Sequence, residues 1–221
     1  MNFRPVRTPL VAKKMFPNFI WDMAFKSKTL YLTFDDGPTP EITNWILDVL
    51  DQYNAKATFF CIGKNIANHH GVFKNILDKG HMVGNHTFDH VKGWRTSTKN
   101  YVKNITQTQK IIDSNFVKNS SDSNLFRPPY GQIRPIQGKA LNALGFKVVM
   151  WNVLSFDWDK EVPKEQCLKN VVSNASEGSI IVFHDSLKAE KNMKFALPKV
   201  LEHFTNKGYS FRSILSTSIP E

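Results

Sequence analysis

Short apolar runs rich in β-formers recur along this chain, and each is followed by a stretch with helical spacing. Thr29–Phe34 (TLYLTF), Ala57–Cys61 (ATFFC), Lys147–Trp151 (KVVMW) and Ser179–Phe183 (SIIVF) have strand length and β-branched or aromatic content, with little polar alternation. A strand apolar on both sides is covered on both faces. Sheets of that kind are parallel, with helices as crossovers. The intervening segments read as helices over Pro40–Tyr53, Asn65–Lys79, Ser97–Val117, Ile136–Leu144, Lys164–Ala175 and Lys194–Asn206. Thr39 is the candidate N-cap of the first, with Pro40 at its first helical position, and Gly80 is the stop of the second. His81–Asn85, Leu125–Arg127 and Tyr209–Phe211 complete the strand set, and Asn119–Asn124 reads as a surface loop.

Strict alternation of strand and helix predicts an α/β fold, either an open parallel sheet or a short barrel. The chain has 221 residues, fewer than the roughly 250 of a complete eight-fold barrel. That is still enough for one domain with a core of its own, and residues 1–26 read as an N-terminal extension packing on it. In open and closed parallel sheets alike, chemistry gathers at the C-terminal ends of the strands.

Composition narrows the function classes. Hydrophobic residues make up 41% and charged residues 22%, which excludes a disordered chain and a membrane bundle. No apolar run approaches the roughly 20 residues of a spanning helix. The N-terminal segment has basic residues but no apolar core and no small-residue cleavage site, so no signal peptide is legible; by that sign alone the chain reads as cytoplasmic, and its location is left open. Seventeen Phe and five Trp promise a large aromatic core or an aromatic-lined cleft. The net charge is +10, yet the basic residues are scattered and no basic, aromatic-interleaved stripe occurs, which argues against nucleic acid. Cys61 and Cys167 are too few for a thiolate zinc finger or a disulfide framework; buried free thiols are expected, with one bridge left open.

Polar clusters fall after the strands. The first strand runs into Thr33–Pro38 (TFDDGP), two adjacent carboxylates at a sharp exit from the sheet, whose side chains point in different directions and need not do the same job. The third runs into His86–His90 (HTFDH). Two imidazoles at i and i+4 share a face if this segment coils into one helical turn, and a carboxylate is a good third ligand for a divalent metal they would hold. Such a set leaves positions for water and substrate. Arg127–Gly131 (RPPYG), Asp157-Trp158 and His184-Asp185 likewise end extended segments.

In these motifs, taken in order, the chain resembles the polysaccharide deacetylases that share the homology domain of nodulation chitooligosaccharide deacetylases, carbohydrate esterase family 4. The resemblance implies a distorted, incomplete (β/α) barrel of about seven or eight βα units. It implies a hydrolase removing N-acetyl groups from poly- or oligosaccharides containing N-acetylglucosamine. Asp36, His86 and His90 would hold one divalent ion, zinc first, with cobalt, nickel or manganese as alternatives. Asp35 would be the base, oriented by Arg127, and His184 the acid, tuned by Asp157. Tyr130 would give its backbone N–H to the oxyanion, and Trp158 and Val182 would line the acetyl pocket.

Trp94, in the loop Val91–Thr98, is a candidate sugar-stacking aromatic, with core packing as its alternative. The partner expected is an acetylated amino-sugar polymer or oligomer, with the protein acting as a monomer. O-deacetylation of an acetylated sugar and a silent carbohydrate-binding relative are the alternative functions. One position departs from the family pattern: Leu154 stands where an Asp often precedes the Asp-Trp pair. His69, His70, His81 and His203 are expected to be non-catalytic.

Overall fold

The computed structural model describes residues 5–23, 28–115 and 124–214. Its elements in order are α1 (Leu10–Met15), β1 (Thr29–Asp35), α2 (Pro40–Gln52), β2 (Thr58–Cys61), α3 (Gly63–Asn68), α4 (His70–Asp78), β3 (Met82–Asn85), α5 (Thr98–Asp113), β4 (Leu125–Phe126), α6 (Pro135–Ala143), β5 (Lys147–Val148), β6 (Val153–Leu154), α7 (Lys164–Val172), β7 (Ile180–His184), α8 (Glu190–Asn206) and β8 (Ser210–Phe211). The strands form one parallel sheet in the order β5-β4-β3-β2-β1-β7-β6, with β8 beside the start of β1. Curved and flanked by helices, it is the distorted, incomplete (β/α) barrel that the strand pattern and the resemblance imply.

Alternation along the strands divides the core. Leu30, Leu32 and Phe34 of β1 pack with Ile46, Leu50, Leu197 and Leu201 of the covering helices. Tyr31 turns to the other face, where Met23, Phe60, Leu125, Val149 and Ile180 fill the interior. The two faces of β1 therefore have different work: one anchors the helices, and the other leads up through Thr33 to Asp35. Cys61 and Cys167 are buried free thiols.

The N-terminal segment reaches both ends of the sheet. The Ile20 N–H donates to Val148 O at 2.9 Å and Ile20 O accepts from Met150 N–H at 2.7 Å, beside β5; Val6 O accepts from the N–H of Leu154, in β6, at 2.9 Å. Backbone groups of edge strands that would face solvent are paired this way.

Several boundaries differ from the sequence expectation. The helix read over Asn65–Lys79 is two helices, broken at His69 (φ −132°, ψ 47°), within an Asn-His-His-Gly stretch of weak helix formers. Gly80, at φ +72°, follows α4 in the left-handed conformation expected of a stop. Thr39 occupies the N-cap of α2, but its hydroxyl makes no cap; its N–H instead donates to Thr43 Oγ1 at 2.8 Å. Of the strand expected over Lys147–Trp151, only Lys147 and Val148 pair with β4 in register; Val149 bridges Ile20 of the N-terminal segment, and the carbonyls of Val149 and Met150 accept from the Arg127 guanidinium. Helix α8 begins a turn earlier than Lys194, and α1 and β6 carried too little periodicity to be read. The helix read over Ser97–Val117 ends at Asp113, with Ser114 as its C-cap, four residues short of the expectation. The loop read at Asn119–Asn124 lies outside the described residues, apart from Asn124 itself.

Candidate active site

The polar clusters converge at the C-terminal end of the sheet. Asp35 ends β1 and His184 ends β7, and the two are register partners across these adjacent strands. His86 directly follows β3 and Arg127 directly follows β4, with the Arg127 N–H donating to Asn85 O at 3.0 Å. Asp157 and Trp158 come from the segment after β6.

Asp35 and Asp36 point apart. Asp35 is buried, and its Oδ1 accepts from Arg127 Nη1 at 2.8 Å. Arg127 is 0% exposed, so its charge needs complete compensation. Nη1 also donates to Thr33 Oγ1 at 2.6 Å, Nε to Val149 O at 3.2 Å and Nη2 to Met150 O at 2.8 Å, while the guanidinium lies 4.1 Å from the Phe60 ring centroid. This fork geometry suits arginine and not lysine.

Asp36 sits at φ +84°, a conformation that costs a non-glycine residue on the order of 1–3 kcal/mol and persists only where its surroundings impose it. Its side chain is thereby turned to the two histidines. Asp36 Oδ1 lies 3.1 Å from His90 Nε2 and 3.7 Å from His86 Nε2, and one ligand atom from each residue lies within 4.8 Å of the others. Burial opposes the Asp36 charge, but His90, His184 and His86 more than offset it and hold the carboxyl well below the usual range.

The histidines converge by a different route from the helical turn expected. Residues 86–90 form a loop with positive φ at Thr87 (64°) and His90 (54°), and Thr87 Oγ1 accepts from the Val91 N–H at 3.2 Å. His86 Nδ1 lies 2.8 Å from Arg127 O, which can only accept, so this nitrogen carries the proton and Nε2 faces Asp36 with its lone pair. Burial pushes the His86 pKa down to about 4, which keeps the ring neutral near pH 7.

These residues fit a divalent metal. Asp36 Oδ1 is buried and accepts no hydrogen bond of acceptable direction, although two imidazole nitrogens lie close to it. Two nitrogens and a carboxylate oxygen are a donor set for a borderline cation such as zinc.

His184 is held twice by one carboxylate. Its N–H donates to Asp157 Oδ2 at 2.7 Å, and its Nδ1 lies 2.9 Å from Oδ1. Burial alone would lower its pKa, but Asp157, then Asp36 and Asp35, raise it to about 9, so the imidazolium persists at neutral pH. The Trp158 ring lies 4.5 Å from the imidazole, and Val182 is buried two residues before His184 on the same strand. Leu154 pairs with Val182 in the sheet, and Ser155 Oγ accepts from the Asp157 N–H at 3.3 Å, so a network around Asp157 exists without an acid at 154.

Tyr130, at φ +59°, places its ring 4.6 Å from that of His90, and is 56% exposed. Trp94 is 63% exposed and donates through Nε1 to Ile133 O at 3.3 Å, so core packing does not describe it. His81 is buried at the other end of β3 from His86, accepting from the Ala57 N–H at 3.2 Å.

Thr33, Asn65 and Asp185 belong to the site without having been assigned a part in it. Asn65 Nδ2 donates to Asp36 O at 2.7 Å, and nothing local marks an asparagine on α3 for that duty. Burial pushes the Asp185 carboxyl up to about 7, against the opposing pull of bonds from Thr43 and Gly37. Thr33 and Asp185 lie inside motifs, which was the available signal.

The polysaccharide deacetylase family model matches residues 22–149. A peptidoglycan-N-acetylglucosamine deacetylase of Bacillus cereus is 33% identical over 208 residues, covering 93% of this chain and 96% of its own length. A chitooligosaccharide deacetylase of Azorhizobium caulinodans is 33% identical over 162 residues, covering 71% of this chain and 73% of its own. The crystal structure of a peptidoglycan N-acetylglucosamine deacetylase in complex with 4-naphthalen-1-yl-N-oxidanyl-benzamide matches with a TM-score of 0.84 at 31% identity, over 94% of this chain and 95% of that one. A family match over more than half of the chain, with a relative 33% identical over nearly its whole length, shows that this chain belongs to the polysaccharide deacetylase family.

Proposed function

We propose that this protein hydrolyses the N-acetyl group of N-acetylglucosamine units in a glycan, with peptidoglycan as the preferred polymer. The observation that carries the reading is the meeting of three sets at one strand end: Asp35 with Arg127, His184 with Asp157, and Asp36 with His86 and His90. The peptidoglycan preference rests on the relative matched over nearly its whole length, and the +10 charge suits an anionic wall polymer.

An amide is a poor electrophile and an amine a poor leaving group, so each set has a task. Zinc held by Asp36, His86 and His90 would polarise the carbonyl and acidify water. Asp35 takes the proton from the attacking water, and Arg127, bonded to Oδ1, keeps the carboxylate aimed. His184 gives a proton to the departing nitrogen from Nε2, because Nδ1 is committed to Asp157. The Tyr130 N–H supports the oxyanion, and a single such donor is worth roughly 3–4 kcal/mol elsewhere. Trp158 and Val182 enclose the acetyl methyl, and Trp94 stacks on a neighbouring sugar; the protein acts as a monomer.

Acetate release from peptidoglycan, chitooligosaccharides and acetylxylan by zinc-loaded protein tests this reading. Peptidoglycan is expected to be fastest. Release from acetylxylan alone would establish O-deacetylation instead, and release from none would establish a silent binder.

A further inference from the structure

Asp185 is 0% exposed and belongs to neither the base, the acid nor the ligand set. Its backbone N–H donates to Asp35 O at 3.1 Å. Its Oδ1 accepts from the Gly37 N–H at 2.8 Å, and its Oδ2 from the Thr43 hydroxyl at 2.6 Å, on the first turn of α2. The residues before and after Asp36 are therefore both bonded to one buried residue at the end of β7. The carboxylate is packed so closely on the turn that a Cβ at residue 37 would lie 1.8 Å from Oδ2, which is why only glycine fits there.

We infer that Asp185 is a positioning residue that imposes the left-handed backbone of Asp36 and thereby aims its carboxylate at His86 and His90. Asp36 at φ +84° would relax toward an ordinary conformation if released, and its side chain would swing off the imidazoles. The remaining tethers, Asn65 Nδ2 on Asp36 O and the Ile62 N–H on Gly37 O, hold carbonyls only and leave the Gly37 N–H without a partner. The inference rests on the proposed metal site and adds an outer residue that no motif role covers.

The test is the dissociation constant of Zn²⁺, measured by competition with a chromophoric chelator on protein shown to be folded by circular dichroism. Asp185→Ala is expected to weaken Zn²⁺ binding about 10- to 100-fold, the usual effect of losing an outer support. Asp185→Asn is expected to restore binding to within about threefold, because its oxygen still accepts from Gly37 and its amide can donate to Thr43 Oγ1. Wild-type affinity in folded Asp185→Ala overturns the inference, as does an equal loss in the Asn variant. If Asp185→Ala does not fold, Thr43→Val, which deletes one bond to Oδ2, takes its place; a weaker Zn²⁺ complex supports the inference and an unchanged one overturns it. Absence of Zn²⁺ binding by the wild-type protein would instead refute the metal reading itself.

Discussion

Asp35 and His184 are register partners on adjacent parallel strands, so the base and the acid of the proposed reaction stand side by side on rigid backbone. Asp35 faces Arg127 on one side while His184 faces Asp157 on the other. Each group is thus tied to a partner on its own side of the strand pair. Sites held on strands in this way keep their geometry better than sites on loops.

Replacing the two adjacent carboxylates should have different effects. Asp35→Asn is expected to lower kcat by about 10²- to 10⁴-fold, the usual worth of a general base, with Zn²⁺ still bound. Asp36→Asn is expected to lose the metal. Metal analysis alongside turnover checks the division, and equal metal loss in both variants would contradict it.

His86→Ala is expected to remove most of the bound divalent ion together with activity. The same ring spends Nδ1 on Arg127 O, so the change removes a ligand and a tether at once. Full occupancy in this variant, measured on dialysed protein, would show that the ligand assignment is mistaken.

The pH profile follows from His184. Its pKa of about 9 lies above the ordinary value, so the acid is protonated below that pH and kcat/KM should fall as pH rises through it. Removing the Asp157 anion removes a cause of the upward shift, and Asp157→Asn should move the alkaline limb to lower pH with the metal retained. His184→Ala should cost more on an N-acetyl substrate than on an activated aryl acetate, whose leaving group hardly needs a proton.

Arg127→Ala should destabilise the fold as well as the chemistry. It leaves the buried Asp35 charge without its cation and frees the carbonyls of Val149 and Met150. Breaking a buried pair typically costs about 3–5 kcal/mol, readable as a lower urea midpoint. Arg127→Lys should recover little, because one ammonium cannot reproduce the fork.

Trp94→Ala should leave stability within about 0.5 kcal/mol, since the ring is largely exposed. Its effect is expected in KM for polymeric substrate and not in kcat. A drop in kcat with unchanged KM on glycan chains of increasing length would remove Trp94 from the sugar-binding surface.

The sequence alone determined the fold class and the location of the chemistry. β-Rich apolar runs alternating with helices are a local pattern, and their burial on both faces forces a parallel arrangement whose strand ends carry the polar motifs. Asp35, Asp36, His86, Arg127 and His184 were legible because each abuts an apolar run. The rest depends on contacts between distant segments. The histidine pair converges through positive φ at Thr87 and His90, which no helical spacing encodes. The register of residues 147–151 with β4 ends at Val148; Val149 bridges Ile20, far away near the N-terminus, and the carbonyls of Val149 and Met150 go to a guanidinium more than twenty positions upstream. The bracket of Asp185 on Gly37 spans 148 positions of chain. Local propensity sees neighbours in sequence, whereas a hydrogen bond or a buried charge pair answers to neighbours in space, and the fold is what brings these together.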